Sequence, residues 1–289
     1  MKIVQQTNRV SWFSNVDRAA GTALQLDCSG RAMAAPQRPS SISTADAIRV
    51  CLSLSTGQQV RHAERDLSLS KGVLAGDVIV LRPGIPTETT LEGDAELVQI
   101  FIKPESLGLV ASHTVTGTPV APTSGELTRA VVQLFVAARH DDWKRRCAAE
   151  VRVRQVVREL LASPVNDASE RARGGLPPMV TRRVEQLIAE TMNRSDAASP
   201  NLTELAATAR VSINHFIRAF RIARGTTPHQ FVMTRRCQLA LDLLRQPGLT
   251  VADVSDAAGY SSPAYFIASF RQQLGVTPGA YQRALARKG

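Results

Sequence analysis

The sequence predicts an α+β chain in two parts: a small β-barrel or sandwich followed by helices, then an all-α domain built from a repeated unit. Three observations carry this reading. Residues 1 to about 105 hold short β-rich runs separated by turn signals, the apolar period becomes helical after Pro122, and residues 201–231 recur about fifty positions later. A length of 289 residues exceeds the usual single-domain size of about 100 to 200, so two domains are the default.

The β-rich runs are Val50 to Ser55 (VCLSLS), Asp77 to Leu81 (DVIVL) and Leu97 to Ile102 (LVQIFI). Between them stand the turn signals Ala75-Gly76-Asp77 and Arg82-Pro83-Gly84. Two helices are expected next, one with Leu127, Val131, Leu134, Phe135 and Ala138 on one stripe, the other with Val153, Val156, Val157, Leu160 and Leu161. They either cover the sheet or pair with a second subunit through the stripe around Leu127, Leu134 and Phe135. Ser163 to Pro178 (SPVNDASERARGGLPP) lacks apolar periodicity and reads as a linker. The expected domains are therefore residues 1–162 and 179–289, joined by 163–178.

Hydrophobic residues at 44% and charged residues at 21% match an ordinary globular protein, and no apolar run approaches the roughly 18 residues that span a bilayer. The start MKIVQQTNRV has no apolar segment of the signal-peptide kind, so a cytoplasmic protein is expected. Cys28, Cys51, Cys147 and Cys237 form no CxxC pair and read as buried reduced thiols. His62, His113, His140, His215 and His229 are too dispersed to aim two imidazoles at one ion, so no metal and no cofactor is expected. The net charge of +10 is uneven: residues 179–289 carry 14 basic and 7 acidic side chains, which makes nucleic acid the natural partner of that domain.

The repeat is detailed. Phe216, Phe220, Gly225, Pro228 and Phe231 recur as Phe266, Phe270, Gly275, Pro278 and Tyr281 at an offset of fifty. Leu202 and Leu205 recur as Val251 and Val254 at forty-nine, so the second copy's turn holds one extra residue. Each copy reads as a short helix, a tight turn and a second helix. Asn201 with Glu204 starts copy one as a capping box and Ser212 caps its second helix; Thr250 and Asp253 start copy two, Gly259 supplies a turn residue with positive φ, and Ser262-Pro263 opens its second helix. Between the copies, Thr227-Pro228-His229-Gln230 starts a long helix of about nineteen residues, about 28 Å, ended by Gln246-Pro247-Gly248. Such a spacer suits two helices entering successive major grooves about 34 Å apart.

The strings VSINHFIRAFRIARGTTPHQFVMTRR and VADVSDAAGYSSPAYFIASFRQQLGVTPGAYQRA resemble the paired helix-turn-helix unit of the AraC/XylS family of bacterial transcription regulators. LAGDVIVLRPGIPTETT resembles, more loosely, the cupin-like β-barrel of that family's sensing and dimerising domains. The resemblance implies a sequence-specific regulator, a ligand-responsive activator and homodimer that binds double-stranded promoter DNA, RNA polymerase and a small-molecule effector. It implies base contacts at Asn214, Ile217 and Arg218 in the first recognition helix and at Ala264, Ile267 and Ala268 in the second. Ser212, His215, Ser262 and Tyr265 complete the implied DNA-facing set, with Arg221 and Arg271 one turn further along toward phosphate. Arg218 suits guanine O6/N7 and Asn214 suits adenine N6/N7, whereas Ile217, Ala264 and Ile267 offer only apolar contact to thymine methyls. Glycine usually stands in the family's first turn where this chain has Arg210, which implies closure without glycine or under local strain.

An enzyme is the competing class, because cupin-like barrels also hold iron. That chemistry needs clustered histidines and a carboxylate, and the β-rich region offers His62 with Glu64 beside it. A DNA-repair methyl acceptor with the same DNA-binding unit would need clustered cysteines, which the sequence lacks.

Overall fold

The computed structural model describes residues 8–12, 24–30, 48–55, 58–62, 71–81, 87–91, 97–102, 104–108, 125–162, 174–192 and 201–286. The chain divides into two units, Met1–Ser163 with Leu274–Gly289, and Pro164–Gln273.

The first unit contains eight described strands: β1 (Asn8–Trp12), β2 (Leu24–Gly30), β3 (Ile48–Ser53), β4 (Gln58–His62), β5 (Lys71–Val73), β6 (Val78–Leu81), β7 (Thr87–Leu91) and β8 (Leu97–Ile102). They form one sheet of order β1-β2-β8-β3-β6 and a second of order β5-β4-β7. All pairs are antiparallel. Strand alternation fixes the register of the first sheet. Val50 lies between Val80 and Ile100, and Leu52 between Val78 and Val98, all of them buried. A slip of one residue would turn this ladder away from the core.

The expected turn at Ala75-Gly76-Asp77 lies between β5 and β6. Gly76 has φ +83°, the left-handed region that glycine enters without steric cost. The Asp77 carboxylate accepts from the Leu74 N–H at 3.0 Å, and the Gly76 N–H donates to the Ser53 carbonyl at 2.8 Å, which ties the turn to β3.

Helices α1 (Gly125–Arg139) and α2 (Trp143–Ala162) follow. Asp141 makes their junction at φ +56°, and the Asp142 carboxylate accepts from the Arg145 N–H at 3.1 Å to start α2. Leu127, Leu134 and Phe135, one candidate surface for pairing two subunits, are buried inside the unit. The reason is tertiary: Thr128 on the same helix donates to the Gly76 carbonyl at 3.3 Å, and the Phe135 ring packs on Tyr281 of α9 (Pro278–Ala286) at 6.0 Å between centroids. That stripe covers its own unit. The thiols also depart from expectation. Cys237 is buried and Cys51 half-buried, but Cys147 is exposed. It lies on the outer face of α2 between Trp143 and Val151, which are 67% and 62% exposed.

The second unit contains α3 (Pro178–Met192), α4 (Leu202–Thr208), α5 (Ile213–Arg224), α6 (Pro228–Leu243), α7 (Val251–Ala257) and α8 (Pro263–Leu274, through Gln273). Its first core gathers Leu176, Val184, Ile188, Leu205, Phe216, Phe220 and Val232. Of the segment expected as linker, 163–173 lies outside the described residues. Its last part is packed: Leu176 is buried, and its N–H donates to the Ala219 carbonyl in α5 at 3.3 Å. Pro178 then opens α3 at a position where the missing N–H costs nothing. No helix among the described residues is long and apolar enough to cross a membrane. His62 ends β4, while Glu64 and His113 lie outside the described residues.

Candidate nucleic-acid interface

The two copies of the repeat close their turns in the same way. In the first, the N–H groups of Ala209, Arg210 and Val211 donate to the carbonyls of Leu205, Ala207 and Ala206; in the second, those of Ala258, Gly259 and Tyr260 donate to Val254, Asp256 and Ser255. Every donor and acceptor is shifted by forty-nine residues. The extra residue of copy two therefore follows the turn proper, at Ser261. Gly259 has φ +75°, and a side chain there would meet the Arg236 guanidinium at 3.4 Å. Arg210 holds the same left-handed conformation at φ +55° with its side chain exposed, so the first turn closes under strain of about 1–2 kcal/mol rather than by another route.

Caps then set where each second helix begins. Ser212 accepts from the His215 N–H at 3.4 Å to start α5, and Ser262 accepts from the Tyr265 N–H at 3.2 Å to start α8 behind Pro263. Thr227 with Gln230, and Thr250 with Asp253, form full capping boxes for α6 and α7. The Thr250 hydroxyl and N–H hold the Asp253 carboxyl below its ordinary range. Asn201 caps α4 through the Thr203 N–H at 2.9 Å rather than through the expected box with Glu204. The linking helix α6 has 16 residues, about 24 Å, and stops before the Pro247-Gly248 signal because the chain tightens at Arg245 and Gln246.

Phe216 and Phe220 face inward, with rings 5.6 Å apart, and Phe220 meets Phe231 of α6 at 5.5 Å. Phe266 and Phe270 repeat the pair at 5.6 Å, with Tyr260 at 4.8 Å from Phe266. Burying these rings turns the opposite faces outward. Ser212, Asn214, His215, Arg218 and Arg221 are exposed on the first unit of the repeat, and Ala264, Tyr265, Ile267, Ala268 and Arg271 on the second, with Ser262 half-buried.

Ile217 is the exception: it is half-buried and packs against the core of Phe216 and Phe220, whereas Ile267, fifty residues later, is 39% exposed. Exposed Ile213, at the start of α5, and exposed Gln272, beside Arg271, adjoin these faces and were not among the expected residues. An apolar residue directly after a capping serine was the available signal for Ile213.

The arginines sort by their partners. Arg224 donates to the Glu185 carboxylate of α3, which fixes α5 on its scaffold and takes that charge out of use. Arg235 lies over the Phe231 ring at 5.0 Å and donates to Gln238. Among the described residues no carboxylate pairs with Arg218, Arg221 or Arg271. Three available guanidinium groups on two repeated helix faces form a surface suited to a polyanion.

A family model described as a helix-turn-helix domain matches residues 205–284. The chain is 33% identical over 107 residues to the transcriptional activator NphR of a Rhodococcus species, covering 37% of this chain and 31% of that protein. It is 35% identical over 107 residues to the HTH-type transcriptional regulator CdhR of Pseudomonas aeruginosa, covering 37% and 32%. A putative AraC-like transcription regulator of Streptomyces lividans is 30% identical over 92 residues, covering 32% and 30%. The chain thus spans about a third of the length of these relatives.

Proposed function

We propose that the chain is a transcription regulator of the AraC family, on the strength of its helix-turn-helix domain, and that it binds double-stranded promoter DNA with α5 and α8 in successive major grooves. The observation that carries this is the repeated exposed face: Asn214, Arg218 and Arg221 on one helix, and Ala264, Ile267, Ala268 and Arg271 at the same register on the other. We assign Arg218 and Asn214 to base edges and Arg221 and Arg271 to phosphate. Residues 179–289 form the DNA-binding domain in this reading; the family match at 205–284, which runs past Gln273, supports that division.

The first domain, residues 1–162, senses a small molecule in a cupin-like barrel and dimerises, and 163–178 links the two. In support stand the antiparallel sheets and the stripe Trp143, Cys147 and Val151, left exposed on α2 at i, i+4 and i+8. The regulator acts as an activator together with RNA polymerase, in the cytoplasm, without catalysis of its own. NphR's name supports the activator reading.

The test is a mobility shift of the full chain on a random duplex library at several salt concentrations. Arg271→Ala is expected to weaken all sequences about equally and to lower the salt slope by roughly one. Arg218→Ala is expected to relax selection at one base pair, a loss of about 1–3 kcal/mol of discrimination. Binding that ignores salt, or an Arg218→Ala variant with the same selectivity as wild type, would sink the proposal.

A further inference from the structure

We propose that the second recognition helix reads thymine by its C5-methyl group, with Ile267 as the specificity-determining residue. The inference rests on the DNA-binding reading above and adds what α8 recognises. On α5 the outward stripe at i, i+3, i+4 and i+7 is Asn214, Ile217, Arg218 and Arg221; on α8 it is Ala264, Ile267, Ala268 and Arg271. The first stripe offers directed hydrogen bonds, and its isoleucine is spent on the core. The second offers none before Arg271, and its isoleucine faces outward at 39% exposure, with Tyr265 beside it at 45%.

In the major groove the apolar feature a helix meets is the thymine methyl, since guanine, adenine and cytosine present donors and acceptors there. Two alanines flanking Ile267 on the same stripe let the helix backbone come close, so that the branched side chain reaches the base edge. Arg271, one turn on, holds the helix by phosphate without reading sequence. A protein partner for this stripe is the competing occupant. The register it shares with Asn214 and Arg218, and the guanidinium at its end, favour DNA.

The experiment uses the full chain and a duplex enriched by it from a random thymine-containing library. The Arg218→Ala variant identifies which segment α5 reads, as the one whose selection it relaxes. In the other segment each thymine is replaced by deoxyuridine, which removes the methyl group alone. Wild type is expected to lose about fourfold in affinity at each contacted thymine, the value of one buried methyl-sized group. Ile267→Ala should fold normally, since the side chain is exposed, and should bind the thymine and deoxyuridine duplexes alike. Wild type that binds both duplexes equally, while keeping its salt dependence and its selection in the α5 segment, would overturn methyl readout and leave DNA binding intact. The same equality with self-association lost in Ile267→Ala would overturn it in favour of a protein contact. Failure to enrich any duplex would instead bring down the DNA-binding reading and this inference with it.

Discussion

Phe220→Ala should cost the second unit about 3–5 kcal/mol, the usual loss for truncating a fully buried phenylalanine to a cavity. Phe220 is 0% exposed and holds two rings together, Phe216 from its own helix and Phe231 from α6. It is thus the joint between the first recognition helix and the long helix that links the repeats. A domain of this size is stable by only about 5–15 kcal/mol, so the loss takes much of the margin. The melting midpoint is expected to drop by roughly 15 °C or more, and DNA binding should fail at growth temperature. Ile267→Ala, changing an exposed side chain, is the matched control and should move stability by less than about 0.5 kcal/mol. Calorimetry of both variants decides; equal midpoints would mean that the aromatic joint is not what holds α5.

Alkaline pH should destabilise the same unit through two buried acids that the fold keeps neutral. Burial pushes the Cys237 thiol from 9.0 up to about 12. Burial, with Cys237 nearby, also pushes the Tyr260 phenol well above its ordinary value of 10.0. Above pH 9 the unfolded chain releases the thiol proton while the folded chain keeps it, so the unfolded state binds fewer protons and stability falls as pH rises. The contribution is fully present below pH 9 and is lost progressively toward pH 12, about 2 kcal/mol being gone by pH 10.5. Tyr260 adds to the slope above pH 10. Urea unfolding at pH 8, 9.5 and 10.5 should show this decline in wild type and a flatter profile in Cys237→Ala/Tyr260→Phe. Parallel profiles would contradict the assignment.

What the sequence made legible was local. Caps and turns are decided within four residues, so Ser212, Thr227, Thr250 and Ser262 could be read directly, as could the left-handed residue at Gly259, whereas for Arg210 the sequence left two ways of closing the turn and the structure takes the strained one. The inward phenylalanines followed from helical period. What escaped depends on partners distant in the chain. Ile217 and Ile267 are identical in type and register, yet only the three-dimensional core decides that one is seated and the other exposed. The stripe of α1 could be read as apolar, but not as already covered from within its unit. Leu176 looked like linker because one leucine among glycine and proline carries no period, and its role appears only through its bond to Ala219.

The strand order, with β8 between β2 and β3, likewise rests on pairings across more than forty residues. Local patterns specify no such partners.

Hydroxyl-radical footprinting of the full chain on a selected duplex shows whether α5 and α8 enter two successive major grooves. Two protected segments about one helical turn, roughly 34 Å, apart on one face are expected, with Arg218→Ala altering only one and Arg271→Ala weakening the other. A single protected segment, or uniform protection without a preferred sequence, would contradict that placement of the two helices.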